Sequence, residues 1–148
     1  MDLKEILTPG RTRCQLNATS QKKALQEVAS IISGEYPHLL EADLFEQLIA
    51  REKKGSTAIG HGIAIPHCRL KKCDHVVGGL FHLQDYIDFN AFDGQPVNIL
   101  FVLIVPEDET TLHLEILSLL ARKFDSEDFR KELLAASTDQ DLYQKAIG

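Results

Sequence analysis

The spacing of apolar residues in the first third of the chain predicts a helix with one buried face. Between Lys22 and Ile32 they recur at helical intervals, with Thr19 or Ser20 placed to cap the helix and Gly34 placed to end it. Before this helix, Arg11 to Leu16 follows a proline and a glycine and is a candidate edge strand.

A second helix with an apolar inner face is predicted to begin near Glu41 or Asp43 and to have Gly55 as its C-cap. Its last turn, Arg51 to Lys54, is basic on balance, which suits the negative end of a helix dipole. The residues predicted to face the core are Leu44, Phe45, Leu48 and Ile49.

The middle of the chain reads as strands. The last of them, VNILFVLIV, is a continuous apolar run that is typical of a central strand covered on both faces. The loop before it is expected to pack its own aromatic residues, Phe89 and Phe92. A sheet between helices is therefore predicted, with strands over Thr57 to Gly60, Ile63 to Ile65, Val76 to Leu83 and Val97 to Val105.

Three helices are predicted to complete the chain. The first is long and capped by Thr110 or Thr111, the second starts at Ser126, and the last starts at Asp139. The sequence contains no repeat, low-complexity segment or linker, so residues 1–148 are expected to form one domain.

The chain is acidic overall, with 16 Lys and Arg against 22 Asp and Glu and a formal net charge of -6. No long basic stretch offers a footprint for nucleic acid, so nucleic-acid binding is not expected. A small basic cluster is interpreted as a solvated rim, or alternatively as a docking patch for an acidic partner. Its members are Lys53, Lys54, Arg69, Lys71 and Lys72.

The sequence offers no route into or across a membrane. Its start, MDLKEILTPG, lacks the apolar region of a signal peptide, and no apolar run approaches the roughly 20 residues that span a bilayer. The three cysteines form an odd, unpatterned set that fits a reducing compartment. A cytoplasmic protein without membrane insertion is expected.

The stretch GHGIAIPHCR, from Gly60 to Arg69, is the first candidate for chemistry. Pro66 cannot donate a ladder hydrogen bond, so the preceding strand should stop there and leave His67 at a strand end. An imidazole is a nucleophile when one ring nitrogen is unprotonated and a carbonyl or carboxylate fixes the other. His67 is a candidate phosphoryl acceptor, and the alternative is a surface or structural histidine.

Other residues could hold a phosphoryl group. His113 lies in the first turn of a predicted helix, where free N–H groups favour an anion, although it could equally be a core-edge histidine. Arg51 offers a planar guanidinium, although arginines at helix ends are usually solvated. Ser56 and Thr57 could donate further hydrogen bonds.

A zinc site is an alternative, because His67, Cys68, Cys73 and His75 are zinc-ligand types. The spacing is close to known patterns without matching them. If strand geometry persists, the adjacent side chains of His67 and Cys68 point to opposite faces and cannot share one ion. The same geometry argues against a nucleophilic cysteine paired with His67.

The stretch REKKGSTAIGHGIAIPHCR, from Arg51 to Arg69, resembles the signature of the enzyme IIA domains of the phosphoenolpyruvate phosphotransferase system, fructose/mannitol class, especially their nitrogen-regulatory members. The segments LFEQLIAREKKGST, FDGQPVNILFVLIVP, HLEILSLLARKF and DLYQ look like the same group, so the likeness covers nearly the whole chain. It implies an α/β fold, a single domain with a mixed β-sheet flanked by α-helices on both faces.

The resemblance also implies roles for three residues. The histidine of the family's IPH triplet, which is phosphorylated, falls on His67. The helix histidine of the HL pair falls on His113, beside it, and the arginine associated with the phosphoryl group falls on Arg51. No cofactor and no metal is implied.

Two positions depart from the family pattern. Cys68 replaces the glycine that commonly follows the active histidine, which bears on how closely a partner's backbone can approach and adds an oxidation-sensitive thiol. His61 stands where a small polar residue such as Asn is common. Neither change removes a reacting group.

The function implied is that of a phosphohistidine carrier, which accepts a phosphoryl group on His67 from an HPr-like or NPr-like histidine phosphocarrier protein. The absence of a fused IIB-like or membrane segment favours a nitrogen-branch regulator, which would bind target proteins such as regulators of transport or sensor kinases. The alternatives are a separate-chain, sugar-specific enzyme IIA that passes phosphate to a IIB component, and the zinc module.

Overall fold

The computed structural model describes residues 2–109 and 111–148. Within them six strands form one sheet, and five α-helices cover its two faces. The strands are β1 (Thr12–Leu16), β2 (Ala58–Gly60), β3 (Ile63–Ala64), β4 (His67–Leu70), β5 (Val77–Ile87) and β6 (Val97–Pro106). The helices are α1 (Gln21–Glu35), α2 (Glu41–Lys54), α3 (Leu112–Asp125), α4 (Glu127–Ala135) and α5 (Asp139–Ile147).

Strand β6 is the centre of the sheet, as its apolar sequence predicts. All of its residues are buried, and it pairs antiparallel with β5 and parallel with β3 and β4. The strand order is β1-β5-β6-β3-β2, and β4 lies on the same side of β6 as β3, further along it. The mixed sheet is thus confirmed, and β1 is confirmed as an edge strand.

Two hydrophobic cores lie on opposite faces of the sheet, because successive residues of β6 point to alternate sides. Leu100 and Val102 pack with α1 and α2, whereas Phe101 and Leu103 pack with α3, α4 and α5. This is the single-domain α/β architecture that the sequence predicts. Within the described part of the chain, no helix is long and apolar enough to cross a membrane.

Most helix ends match their predicted caps. The Ser20 hydroxyl accepts a hydrogen bond from the backbone N–H of Lys23, and the Ser126 hydroxyl caps α4 in the same way. Gly55 is the C-cap of α2. Thr111 is the N-cap residue of α3 without a capping side-chain hydrogen bond to any described residue, and the alternative cap, Thr110, lies outside the described residues.

The predicted end of α1 at Gly34 is wrong. The helix continues to Glu35, and the backbone N–H of Tyr36 still donates to the carbonyl of Ile32. The helix ends at Glu35 because the next residue, Tyr36, precedes Pro37, and the residue before a proline is pushed out of the helical region. A glycine with a negative φ is tolerated within a helix, so Gly34 alone does not stop it.

The prediction that the loop before β6 packs both of its aromatic residues is wrong for one of them. Phe89 is completely buried, whereas Phe92 is 83% exposed and lies over Gly60. Between them Asn90 has a positive φ of 54°, which turns the chain outward. The loop is therefore anchored by a single aromatic side chain.

The predicted strand end at His67 is also wrong in detail. Strand β3 stops at Ala64, but the chain does not leave the sheet. After Pro66 it pairs with β6 again as β4, whose first residue, His67, lies opposite Leu103. The Pro66 carbonyl still accepts a hydrogen bond from the Leu103 N–H, at 2.9 Å. Because β6 is long, it accommodates two short strands in succession, and the proline marks only the break between them.

Candidate active site

A cavity of about 360 Å³ lies where β4 meets the last turns of α2 and the first turn of α3. The three residues that the sequence predicts as catalytic, His67, His113 and Arg51, all line it. The other charged residues that line it are Lys54 and Arg69, and no acidic side chain in the described part of the chain does so. In a protein with net charge -6, this cavity is a local concentration of positive charge.

The orientation of His67 is fixed by its own backbone neighbourhood. Its Nδ1 lies 2.8 Å from the carbonyl oxygen of Ile65, and because a carbonyl can only accept, Nδ1 carries the proton and donates. In the neutral ring the lone pair is then on Nε2. The side chain is half-buried, on a strand that lines the cavity.

The surroundings of His67 favour the neutral, nucleophilic imidazole. Burial lowers the pKa of His67 below its ordinary value; the hydrogen bond to the Ile65 carbonyl opposes this, and the positive charges of Arg51 and His113 lower it further. The ring is therefore unprotonated near pH 7, which a nucleophile requires.

Arg51 reaches the cavity from the last turn of α2. Its Nη1 donates to the carbonyl oxygen of Gly55 at 2.7 Å, so the guanidinium folds back over the helix end and satisfies a carbonyl that has no partner within the helix. This contact uses one of its five N–H donors, and the others remain for a ligand.

His113 lies in the first turn of α3, at the opposite wall of the cavity. Burial lowers the pKa of His113, the positive charge of Arg69 lowers it further, and Glu109 raises it. The Arg69 Nη2 lies 3.4 Å from Nδ1 and 3.3 Å from Nε2 of the imidazole. His113 is thus held by a second arginine, one that the sequence pattern suggested only as part of a basic rim.

Ser56 and Thr57 are not brought into the cavity. The Ser56 hydroxyl donates to the carbonyl oxygen of Phe89, and the Thr57 hydroxyl donates to the carboxylate of Glu52. Thr57 is buried. Both hydroxyls therefore have partners away from the phosphoryl position that the sequence pattern suggests.

Thr57 instead belongs to a chain of hydrogen bonds that ends at His67. Its N–H and its hydroxyl both donate to the Glu52 carboxylate, and its carbonyl accepts from the N–H of Ile65 at 3.0 Å. The carbonyl of Ile65 in turn accepts from His67. Glu52 was not predicted as part of the site, although it stands beside Arg51 in the same motif.

Cys68 points to the opposite face of β4 from His67 and lines the cavity from the side of α2. Its side chain is buried in the core beside α1 and α2, and burial raises the pKa of its thiol to about 12. A thiol that remains protonated is a poor nucleophile and oxidises slowly. This burial does not support the expected sensitivity to oxidation.

The zinc interpretation finds no ligand set. Among residues 2–109 and 111–148, no group of three His, Cys, Asp or Glu side chains is arranged to hold a metal ion. His67 and Cys68 point to opposite sides of β4, as the alternation of a strand requires. The thiol of Cys73 is buried and donates to the carbonyl of His75.

His61 adopts a left-handed backbone conformation, with a φ of 59°, between two glycines that also have positive φ. Its N–H donates to the Asp93 carboxylate at 3.2 Å. Asn and His are both enriched in this region of backbone space, so the exchange of one for the other is compatible with the turn.

Comparison with known proteins identifies the family of the chain. Residues 5–146 match the family described as phosphoenolpyruvate-dependent sugar phosphotransferase system, EIIA 2. The chain belongs to this family. The nitrogen regulatory protein of Pseudomonas aeruginosa is 46% identical over 145 residues, which are 98% of this chain and 94% of that protein. The nitrogen regulatory protein of Escherichia coli K12 is 40% identical, over 97% of this chain and 88% of that protein.

Solved structures of EIIA proteins share the fold. The nitrogen regulatory protein IIA-Ntr of Neisseria meningitidis has a TM-score of 0.89 and 37% identity, with 96% of this chain and 97% of that chain covered. IIA mannitol of Escherichia coli has a TM-score of 0.66 and 15% identity, over 90% and 95% of the two chains. The second likeness concerns the fold alone.

Proposed function

We propose that this EIIA-family protein is a phosphohistidine carrier in which Nε2 of His67 accepts the phosphoryl group. The observation that carries the proposal is the hydrogen bond from His67 Nδ1 to the Ile65 carbonyl, which leaves the nucleophilic lone pair on Nε2. The cationic cavity around the ring supports it, because it suits a phosphoryl group that carries close to two negative charges.

The donor is proposed to be a small histidine phosphocarrier protein of the HPr or NPr kind. The Nε2 lone pair of His67 forms a new N–P bond while the N–P bond of the donor's phosphohistidine breaks, and the electron pair of the broken bond returns to the donor's imidazole. One N–P bond replaces a similar one, so the transfer is expected to be reversible. Such donors carry phosphate from phosphoenolpyruvate, a metabolite of the cytoplasm, so we place the reaction there.

Arg51 and His113 are proposed to stabilise the phosphoryl group during this transfer. In a loose transition state the charge spreads over the three equatorial oxygens, and fixed donors around them lower the barrier. Arg51 supplies a guanidinium from the end of α2, and His113 supplies an imidazole from the first turn of α3. No metal is needed for this charge stabilisation.

We further propose that the carrier acts as a nitrogen-branch regulator. The similarity to nitrogen regulatory proteins over nearly the full chain supports this role. Phosphorylation at His67 adds close to two negative charges at one surface point, which is enough to change the proteins that bind there. The candidate targets are regulatory proteins, and the alternative is transfer to a sugar-specific IIB component.

The test is a phosphotransfer assay with phosphoenolpyruvate, enzyme I and the histidine phosphocarrier. The protein should acquire acid-labile phosphate, and His67→Ala should acquire none. His113→Ala should remain folded and lose much of the transfer rate, whereas His75→Ala, which removes an exposed histidine outside the cavity, should label like the unaltered protein.

Two results would contradict the proposal. Equal labelling of His67→Ala would remove the assigned acceptor, and absence of acid-labile phosphate in the unaltered protein would remove the function. Efficient passage of the label to a IIB protein would replace the regulatory role with the sugar-transport alternative.

A further inference from the structure

Arg69 lines the cavity but has no role in the transfer described above. It lies two residues after His67 on β4, and residues i and i+2 of a strand project from the same face. The intervening Cys68 points into the core. Arg69 therefore stands beside the acceptor histidine because of the strand geometry.

The side chain of Arg69 lines the cavity together with His67 and contacts His113. Its Nη2 is nearly equidistant from the two ring nitrogens of His113, at 3.4 and 3.3 Å. An atom that is equally far from both ring nitrogens cannot lie in the ring plane, because the carbon between the two nitrogens would block it. The Arg69 Nη2 therefore faces the imidazole ring as a whole and does not point at the lone pair of one nitrogen. A guanidinium suits such a contact, since it is planar and weakly hydrated.

The charged residues that line the cavity suit the binding of an anion beside Arg69. Arg51 enters the cavity from α2 and Arg69 enters it from β4, so two guanidiniums are present around the acceptor ring. Lys54 adds a third cation, and no carboxylate of a described residue lines the cavity to neutralise them. Among the described residues Arg69 contacts no carboxylate, so its exposed guanidinium is available to a dianion.

We propose that Arg69 is a phosphoryl-binding and positioning residue of the transfer reaction, which holds the imidazole of His113 in place and offers a second guanidinium to the phosphoryl oxygens. This inference rests on the proposed function and deepens it. Because the step is the same transfer between two imidazoles, Arg69 neither gives nor takes a proton; it contributes charge and hydrogen-bond donors.

The contact between Arg69 and His113 can be tested without any phosphoryl transfer, through the pKa of His113. The charged groups that face His113 are Arg69 from β4 and Glu109 from the segment before α3, and His113 itself acts on His67. Removal of the Arg69 charge should raise the pKa of His113, because a nearby cation disfavours the imidazolium. Arg69→Lys, which keeps the charge, should move that pKa less.

The experiment compares Arg69→Gln and Arg69→Lys with a matched control, Lys71→Gln. Lys71 is also exposed, two residues further along, and does not line this cavity, so its loss removes the same unit of charge. We expect Arg69→Gln to slow phosphoryl acquisition about tenfold or more, which is less than the roughly 100-fold cost of losing a sole transition-state donor because Arg51 and His113 remain. Arg69→Lys should be intermediate, and Lys71→Gln should change the rate less than about twofold.

Nuclear magnetic resonance titration of the His113 ring in the same three variants completes the test. A selective loss of rate in Arg69→Gln together with a raised His113 pKa supports the inference. Equal rates in Arg69→Gln and Lys71→Gln, or an unchanged His113 titration in Arg69→Gln, would overturn it. If the unaltered protein takes no label, the proposed function fails, and the titration still reports on the Arg69 contact.

Discussion

At the scale of single residues, the chemistry depends on which nitrogen of His67 carries the proton. The Ile65 carbonyl fixes that choice, and the position of Ile65 depends on Thr57 and through it on Glu52. The group that orients the acceptor is therefore a backbone carbonyl held by a distant carboxylate. The sequence led us to expect that a carbonyl or carboxylate would hold one ring nitrogen, but a motif cannot show which backbone carbonyl does so, and Ile65 was not predicted.

Replacement of Thr57 by valine tests this chain of hydrogen bonds. Valine keeps the shape of threonine but removes the hydroxyl that donates to Glu52, so we expect a loss of about 1–3 kcal/mol in the free energy of unfolding. The transfer rate should fall as well, because the Ile65 carbonyl loses part of its support. Urea denaturation and the phosphotransfer assay measure the two effects.

Thr57→Ser is the matched control, since it keeps the hydroxyl and removes only a methyl group. It should recover most of the transfer rate, whereas a role for the methyl group alone would make the serine variant slow and leave the valine variant unaffected. The positioning role is refuted if the valine variant transfers phosphate at the unaltered rate. Nitrogen chemical shifts of the His67 ring provide a direct reading of its tautomer in each variant.

At the scale of secondary-structure elements, the predictable features were those set by local chemistry. Ser20 and Ser126 cap their helices as expected, and the apolar run of β6 identified the central strand. The unpredicted feature is β4: its residues, His67 to Leu70, become a strand because β6 has free ladder positions opposite them. That pairing is a property of the sheet, and four residues of mixed polarity do not reveal it.

Helix α1 gives the clearest prediction at this scale. Gly34 lies inside the helix, and a Cβ added there would meet no atom within 4 Å. Gly34→Ala should therefore raise the free energy of unfolding by about 0.5–1 kcal/mol, because alanine restricts the unfolded chain and favours the helix. Urea denaturation measures the change.

The contrasting variant is Gly62→Ala. Gly62 has a φ of 78°, and its added Cβ would lie 3.2 Å from the side-chain oxygen of Asn98, so the same substitution should destabilise the protein. If Gly34→Ala is neutral or destabilising while Gly62→Ala is tolerated, the assignment of their backbone roles is incorrect.

At the scale of the whole molecule, the arrangement places a cationic site on an acidic protein. The sheet separates two cores, and the site lies at the one edge where α2 on one face and α3 on the other both reach β4. Arg51, His67 and His113 are far apart in the sequence, so periodicity alone did not show that they meet. The resemblance to the EIIA family supplied that connection, and the fold explains it.

The same architecture buries groups whose protonation should set the pH dependence of stability. Burial lowers the pKa values of His67 and His82, and burial raises those of Cys68 and Cys73. In the unfolded chain the histidines titrate near pH 6.5 and the thiols near pH 8.5. Between the folded and unfolded pKa of each histidine, the unfolded state binds more protons, so stability is lost as the pH falls below about 6.5.

The alkaline side has the opposite slope. Above about pH 8.5 the unfolded thiols ionise while the folded ones remain protonated, so stability is lost as the pH rises. The free energy of unfolding should therefore be highest between about pH 7 and 8.5. Burial raises the pKa of Glu52 above its ordinary value. As the pH rises above that ordinary value, Glu52 lowers the stability of the folded state, which is the opposite of the histidine contribution.

A variant separates the histidine contribution from that of Glu52. His82 lies outside the cavity, and His82→Gln removes one titrating imidazole while Glu52 is unchanged. The loss of stability between about pH 7.5 and 6 should be smaller in His82→Gln than in the unaltered protein, as measured by urea denaturation at each pH. An identical slope in the two proteins would show that the partial burial of His82 does not contribute to the acid side of the profile. Stability that rises on acidification would contradict the sign derived from the half-buried His67 and His82.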